Sequence, residues 1–403
     1  HRDLHSFPTR RSSDLDQYLG NLYQRFPVTI EKGLGSHVWD ADNNEYIDCM
    51  GGYGVALVGH RNERVVNAIK SQIEKVITVH SSFYNKTREE FLQTLIGIAP
   101  AGLSQVHLNN SGSESVEAGI KFARKFTGRK GMVAMKGSYH GKSMGALSLT
   151  FNPKYRESFK PLVEKVTFSP YGDIDALQTA VDKDTAFVIL EPIQGESGIH
   201  VPPDGFLQDV RKVCDENESL LVFDEIQSGL GRTGSMWASE HWKTIPDIMC
   251  LAKGIAGGVP MGVTLVKPDI LSVMKKGEHS STFGGNPLAC AAGTATLQAL
   301  TQDGLIENAK NMGEKFFRGL NDLKSKHKII REVRGRGLMI GVELKFDVKD
   351  ILMEGIKKGL LLLYSGRNIL RLLPPLVISD EDVTKSLQIL DELLTNEEGR
   401  RNV

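Results

Sequence analysis

Three short segments place chemically active residues directly after apolar runs of the sequence. Residues 109–115 (Asn-Asn-Ser-Gly-Ser-Glu-Ser) follow one such run, Asp224 follows residues 220–223, and Lys253 follows residues 249–252. Each run is typical of a strand that ends in a turn. Because open α/β folds bind ligands at the carboxyl ends of their strands, the three segments predict one site at the edge of a sheet.

The segment around Gly112 has the features of a site for an anion, and in particular for a phosphate group. A glycine lets the backbone approach a ligand closely. The helix that follows would point its first N–H groups outward, with the positive end of its dipole behind them. The alternative is an ordinary helix N-cap, made by Ser111 or Ser113 with Glu114 in the first turn.

Asp224 and Lys253 could act together with that anion site. A carboxylate beside a core strand is costly to bury unless a cation pairs with it, although a surface turn would avoid the cost. A lysine in apolar surroundings loses its proton readily and can form a Schiff base with a carbonyl, whereas most lysines lie on the surface. A phosphate cradle, a carboxylate for a ring nitrogen and a Schiff-base lysine are together the parts of a pyridoxal 5'-phosphate (PLP) site.

The sequence resembles the class III PLP-dependent aminotransferases of fold type I. The resemblance runs from about Tyr23 to beyond Ile389 and is carried by residues 111–117, 139–141, 191–196, 224–229, 253 and 281–287. Within that family the chain is similar to the acetylornithine branch, and most similar to archaeal-type enzymes that act on lysine or ornithine held on an amino-group carrier protein. Residues 154–162 and 371–376 support that branch.

The resemblance implies how the site would hold PLP. Ser111, Gly112 and Ser113 would bind the phosphate. Tyr139 would stack on the pyridine ring with His140 beside it, and Ile226 would meet the other face of the ring.

The resemblance also implies which residues would carry the chemistry. Asp224 would pair with the ring nitrogen, Gln227 would reach the ring hydroxyl, and Lys253 would be the Schiff-base lysine. Thr282 would touch the phosphate bound by a neighbouring subunit, which would make the active unit a homodimer.

The implied reaction moves the terminal amine of an N-acylated ornithine or lysine, free or carrier-bound, to 2-oxoglutarate in arginine or lysine biosynthesis. Arg371 would bind the α-carboxylate of the acceptor, because a guanidinium binds a carboxylate through two parallel hydrogen bonds. Glu196 would pair with Arg371 in one half-reaction and release it in the other. The acylornithine branch usually has Arg after Tyr-His-Gly, to bind the donor's distal carboxylate. Here the residue is Lys142, which keeps the positive charge but lacks the planar guanidinium group that forms two parallel hydrogen bonds.

Three other functions can be compared with this one. An aminotransferase for 4-aminobutyrate or another ω-amino acid would share the scaffold, and the contacts around Lys142 and Ser281 would separate it. A catalytically silent scaffold is disfavoured because Asp224, Lys253 and the phosphate segment are retained. A nicotinamide-dependent dehydrogenase is disfavoured because no Gly-x-Gly-x-x-Gly follows a strand with an acidic residue about 20 residues later.

A sheet is needed to bring these residues together. Apolar runs alternate with amphipathic segments and predict a mostly parallel sheet covered on both faces, with strands at residues 106–109, 132–135, 186–190, 220–223, 247–252 and 263–266. The sequence also predicts a hairpin within residues 38–48 and a buried strand at residues 359–364. We therefore predict an α/β fold of two domains, with a seven-stranded type of sheet in the larger one. The large PLP-binding domain would span residues 61–290, and the smaller α+β domain would combine residues 16–60 and 291–403.

Composition limits the partners of this 403-residue chain. Its 49 basic and 49 acidic residues give no net charge, which argues against nucleic-acid binding. No apolar run approaches the roughly 20 residues of a membrane helix. Four cysteines without a Cys-x-x-Cys pair and eleven histidines without a cluster predict a cytoplasmic protein with neither disulfides nor a metal site. Residues 1–15 suit neither a signal nor a transit peptide, so we predict a leader foreign to the fold.

Overall fold

The computed structural model describes residues 18–401 apart from Asn21 and Gln24. The predicted foreign leader at residues 1–15 lies outside the described residues. In the part that is described, the strands form one sheet of seven strands and two sheets of four.

The first small sheet contains the predicted hairpin. Its strands β1 (Ile30–Leu34), β2 (His37–Asp40) and β3 (Glu45–Asp48) are antiparallel neighbours. Asp40 fixes the turn between β2 and β3, because its carboxylate accepts hydrogen bonds from the backbone N–H groups of Asp42 and Asn44 and from the hydroxyl of Tyr46. The hairpin prediction is therefore confirmed.

The seven-stranded sheet carries the predicted site. Its strands in chain order are β4 (Gln105–Asn109), β5 (Gly131–Met135), β6 (Val166–Ser169), β7 (Thr185–Leu190), β8 (Leu220–Asp224), β9 (Ile248–Leu251) and β10 (Gly262–Val266). Their spatial order is β4-β10-β9-β8-β7-β5-β6. Since β10 is antiparallel to both of its neighbours and the other pairs are parallel, the remaining six strands end at the same edge.

The remaining strands form the second small sheet and complete the first. They are β11 (Ile330–Arg336), β12 (Met339–Leu344), β13 (Leu360–Leu361), β14 (Leu363–Ser365) and β15 (Ile369–Leu372). The prediction of one strand at residues 359–364 was wrong. β13 pairs with β3 in the first small sheet. The chain is interrupted at Leu362, and β14 then pairs with β15 in the second small sheet. Continuous hydrophobicity shows burial, but it does not show that the chain changes its pairing partner.

Helices surround the sheets. They are α1 (Glu63–Ile73), α2 (Lys86–Ile96), α3 (Gly112–Thr127), α4 (Met144–Leu149), α5 (Pro153–Arg156), α6 (Ile174–Ala180), α7 (Phe206–Glu216), α8 (Pro268–Ser272), α9 (Pro287–Gln302), α10 (Leu305–Lys326), α11 (Lys349–Lys357) and α12 (Asp380–Arg401). A single turn also lies at Gly51–Gly54. Among the described helices none is both long and apolar enough to cross a membrane.

The central sheet is buried on both faces, as its apolar strands predict. Every residue of β7 is buried. Val188 packs in the same cluster as Val210 of α7, whereas Ile189 packs in the cluster of Val116 from α3 on the other face. This alternation confirms a mostly parallel α/β sheet between two layers of helices. All four cysteines are buried and unpaired. The domain boundaries stay a prediction.

Candidate active site

Five strands deliver polar residues to one cavity. β4, β5, β7, β8 and β9 end at the same edge of the central sheet, and the chain that follows each of them lines a cavity of about 370 Å³. Cavities of that size are typical of small-molecule sites. The predicted site residues in its lining are Ser111, Gly112, Ser113, Tyr139, His140, Glu196, Asp224, Ile226, Gln227 and Lys253.

The amino end of α3 forms one wall of the cavity. Ser111 is the N-cap residue, and its hydroxyl accepts a hydrogen bond from Glu114 N at 3.2 Å. The N-cap interpretation is thus correct for the Ser111 side chain. It does not exclude the anion site, because the N–H groups of Gly112 and Ser113 belong to the first turn and have no acceptor within the helix. A Cβ atom on Gly112 would lie 2.9 Å from Ile226 Cδ1, so a larger residue at this position would have to displace the Ile226 side chain.

Asp224 is the last residue of β8 and is almost fully buried. Its Oδ2 lies 2.7 Å from His140 Nδ1, and its Oδ1 accepts a hydrogen bond from Ile226 N at 3.1 Å. The imidazole therefore donates through Nδ1 and supplies the partner that a buried carboxylate requires. His140 Nε2 is also buried and has no hydrogen-bond partner among the described residues.

Lys253 begins a short 3₁₀ turn (Lys253–Ala256) two residues after β9. Its φ of 47° is unusual for a residue with a side chain, and such conformations concentrate at functional sites. Burial lowers the pKa of its ammonium group, and Arg371 adds to that effect, while Glu196 and Asp224 oppose it. A lysine with a lowered pKa has more of the neutral amine that attacks carbonyl groups.

Glu196 and Arg371 form an ion pair beside Lys253. Arg371 Nη1 donates to Glu196 Oε1 at 2.6 Å, and the Arg371 side chain is fully buried. Burial alone would raise the pKa of Glu196, but Arg371 and Lys253 together hold that pKa below its usual value. The Nε and Nη2 atoms of Arg371 are buried and have no hydrogen-bond partner in the described part of the chain.

Four predicted site residues do not line the cavity. Arg371 contacts Glu196, which does line the cavity. Lys142 is exposed, and its Nζ lies 5.0 Å from the centre of the Tyr155 ring. Ser281 Oγ accepts hydrogen bonds from Asn110 Nδ2 and Gly284 N, whereas Thr282 is exposed.

Glu191 lines the cavity, although the sequence analysis gave it no role. It directly follows β7, as Asp224 ends β8, so the same sheet-edge argument could have found it. Its two carboxylate oxygens accept hydrogen bonds from Tyr139 N and Gly195 N. Val55 and residues 258–261 also line the cavity and were not predicted, because no residue type marks them as polar or reactive.

The residues of the cavity fit PLP. The helix N–H groups suit its phosphate, the buried Asp224 suits a protonated ring nitrogen, and Lys253 suits its aldehyde. Gln227 Oε1 is buried and has no partner among the described residues, so it is free to accept from a ring hydroxyl. A metal site does not compete with this assignment in the described chain, where no group of three or more metal-binding side chains occurs.

Comparisons with known proteins identify the family of the chain. The family description Aminotransferase class-III matches residues 18–394. The chain is 46% identical over 382 residues to acetylornithine aminotransferase of Methanopyrus kandleri, which covers 94% of this chain and 97% of the relative. It is 44% identical over 384 residues to the [LysW]-aminoadipate semialdehyde transaminase of Deinococcus radiodurans, with 94% and 89% covered.

A solved structure supports the same assignment. The ornithine aminotransferase of Toxoplasma gondii, described with PLP at its active site, superposes with a TM-score of 0.93 at 32% identity. The superposition covers 97% of this chain and 95% of that one. The chain therefore belongs to the class III aminotransferases, enzymes that use PLP as their cofactor.

Proposed function

We propose that this enzyme transfers the terminal amine of an N-acylated ornithine or lysine to 2-oxoglutarate. The observation that carries the proposal is the ion pair between Glu196 and the buried Arg371 beside Lys253. A donor that enters with a terminal amine has no carboxylate near its reacting carbon, so a paired and neutralised Arg371 suits it. 2-Oxoglutarate presents an α-carboxylate at the same position, and a guanidinium released by Glu196 can bind it.

The residues of the cavity would divide the work. Bound PLP supplies an aldehyde and an electron-withdrawing ring. Asp224, which His140 holds in place, would keep the ring nitrogen protonated, and Tyr139 would cover one face of the ring against water. The amine of Lys253 would take the proton from the carbon that bears the reacting amine and would pass it to the former aldehyde carbon of PLP, so that the nitrogen stays with the cofactor when the product leaves.

Glu196 would act as the switch between the two half-reactions. Its carboxylate would cover Arg371 while the donor reacts and would turn away when 2-oxoglutarate arrives. Arg371 Nε and Nη2, which are buried and have no partner among the described residues, add hydrogen-bond donors for the incoming carboxylate.

Lys142 would bind the distal carboxylate of the donor. Its backbone N–H donates to Ser113 Oγ at 3.3 Å, which fixes the backbone of Lys142 next to the proposed phosphate site. The Tyr155 ring beside its ammonium would hold the side chain near the mouth of the cavity. A lysine offers a carboxylate one charge-assisted contact where an arginine offers two.

The donor could be free or carried on an acidic carrier protein. Names of the relatives support both forms, since one is an acetylornithine aminotransferase and another a [LysW]-aminoadipate semialdehyde transaminase. We also propose a homodimer in which Thr282 contacts the phosphate held by the other subunit, since Thr282 is exposed and does not line its own cavity. The cytoplasmic location stays a prediction.

A donor panel tests the proposal. The PLP-loaded protein would be assayed with 2-oxoglutarate and with N-acetylornithine, carrier-bound lysine or ornithine, free ornithine, or 4-aminobutyrate. We expect the highest kcat/KM for an acylated or carrier-bound donor. The highest value for 4-aminobutyrate would contradict the proposal and support an ω-amino acid aminotransferase instead.

A further inference from the structure

We propose that Glu191 is a positioning residue that joins the segment of Tyr139 to the loop of Glu196. Its one buried carboxylate would hold Tyr139, which covers a face of the cofactor ring, in a fixed arrangement with Glu196, which switches between the two half-reactions. The inference rests on the proposed function for the roles of Tyr139 and Glu196. It adds a residue that neither binds substrate nor moves a proton.

The hydrogen bonds of Glu191 join two different segments. Its Oε1 accepts from Tyr139 N at 3.0 Å, and its Oε2 accepts from Gly195 N at 2.9 Å. Tyr139 follows β5, and Gly195 immediately precedes Glu196. Because Glu191 itself directly follows β7, its side chain connects both segments to the end of a strand in the central sheet.

The hydrogen bond to Glu191 is one of several contacts that hold the loop around Glu196. Gln194 and His200 close the loop by two backbone hydrogen bonds of 3.0 Å each, and Gln194 Nε2 donates to Lys136 O on the β5 side. Gly195 packs so closely on the Gln227 side chain that an added Cβ would collide with it. Within the closed loop, the hydrogen bond from Gly195 N to Glu191 fixes how far the next residue, Glu196, lies from the central sheet.

The surroundings of Glu191 favour a structural use of its charge. Only 5% of the residue is exposed, and burial raises its pKa to about 7, an effect that His140 opposes and Asp224 strengthens. A carboxylate that is this deeply buried is tolerated when its oxygens are hydrogen-bonded. Each oxygen accepts one backbone N–H group, so two donors from different segments fix the orientation of the carboxyl group.

Glu225 offers a matched control. It is also fully buried, burial also raises its pKa to about 7, and it also accepts two backbone hydrogen bonds, from Ala238 N and Ser239 N at 2.8 Å each. It does not line the cavity, and the segment that it holds carries none of the proposed site residues. Glu225 Oε2 accepts one further hydrogen bond, from Ser228 Oγ at 3.2 Å. The two carboxyl groups therefore share deep burial and two backbone donors, and they differ in what they position.

The experiment compares Glu191→Gln with Glu225→Gln in the holoenzyme. A glutamine keeps the shape but can accept through only one oxygen, so both variants should lose stability to thermal unfolding to a similar extent. Only Glu191→Gln should raise the Kd for PLP, by about tenfold or more, since the segment that would place Tyr139 on the ring loses one of its hydrogen bonds to the Glu191 side chain. It should also change the circular dichroism of bound PLP, because the ring would no longer be held at one angle.

Substrate preference gives a separate readout. A displaced Glu196 should pair less well with Arg371, so Glu191→Gln should raise kcat/KM for glutamate relative to that for the terminal-amine donor. Glu191→Asp, which keeps the charge but is one methylene shorter, should give the same changes and serves if the glutamine variant folds poorly. The proposal is overturned if Glu191→Gln matches Glu225→Gln in the Kd for PLP, the dichroism and the substrate preference. If the wild-type enzyme uses no terminal-amine donor, the proposed function fails, while the PLP measurements still decide the role of Glu191.

Discussion

Arg371 and Glu196 are joined by a hydrogen-bonded ion pair of 2.6 Å in which the arginine side chain is fully buried. A buried charge that loses its partner is strongly destabilised, so the arginine should bind whichever carboxylate is available. Glu196 belongs to the protein and 2-oxoglutarate comes from solution, and competition between them would let one cavity accept two differently shaped substrates.

Replacing Glu196 by alanine should expose that competition. Glu196→Ala leaves Arg371 free for α-carboxylates, so kcat/KM should rise for α-amino acids such as glutamate and fall for the terminal-amine donor. Single-turnover kinetics of each half-reaction would measure the two effects. Equal losses in both half-reactions would indicate structural damage and would remove Glu196 from the switch.

Asp224→Asn tests the buried pair with His140. An amide cannot hold the ring nitrogen protonated, so both half-reactions should slow by orders of magnitude. The Kd for PLP should change far less, because the proposed phosphate site at α3 is untouched. Rapid-mixing kinetics and a PLP titration measure the two quantities. Near-normal turnover in the variant would exclude Asp224 from the mechanism.

Lys142 tests how the donor is held. For a free small donor, Lys142→Arg should lower the KM, and Lys142→Ala should raise it by an amount equivalent to about 1.5–3 kcal/mol, the worth of a hydrogen bond to a charged group. For a donor on an acidic carrier, Lys142→Ala should matter less and added salt should matter more, because long-range attraction is screened. If only the 2-oxoglutarate half-reaction responds, Lys142 does not face the donor.

The buried Glu225 predicts a specific pH dependence of stability. Its pKa is raised from 4.5 to about 7 in the folded state, so the folded protein binds a proton that the unfolded chain has already lost. Stability from this group is complete below about pH 4.5 and is lost as the pH rises through about 7. Glu225→Gln lacks this dependence, so the stability gap between parent and variant should be smaller at pH 8 than at pH 5. Urea unfolding at both pH values measures the gap, and an equal gap at both would show that Glu225 does not titrate in this range.

The sequence predicted which residues meet in one cavity wherever a local rule applied. Asp224 and Lys253 each follow an apolar strand, and parallel strands end at one edge, so their meeting in one cavity followed from the pattern alone. Glu191 also directly follows an apolar strand, but it was missed because a role in the same segment had already been assigned to Glu196. The contact between Lys142 and Tyr155 is different in kind, because it depends on how the turns after β5 fold back, which no residue spacing encodes. The interruption at Leu362 was missed for the same reason, since pairing in two sheets is decided by distant strands.

In the proposed reaction a terminal amine, and no other nitrogen of the donor, reaches 2-oxoglutarate. The most direct measurement supplies N-acetylornithine, and separately the carrier-bound donor, with nitrogen-15 in the terminal amine only. Mass spectrometry would then follow the glutamate that forms. Glutamate formed from at least one of the two donors should carry nitrogen-15 in a PLP-dependent reaction. Glutamate without the label, or none from either donor, would contradict it.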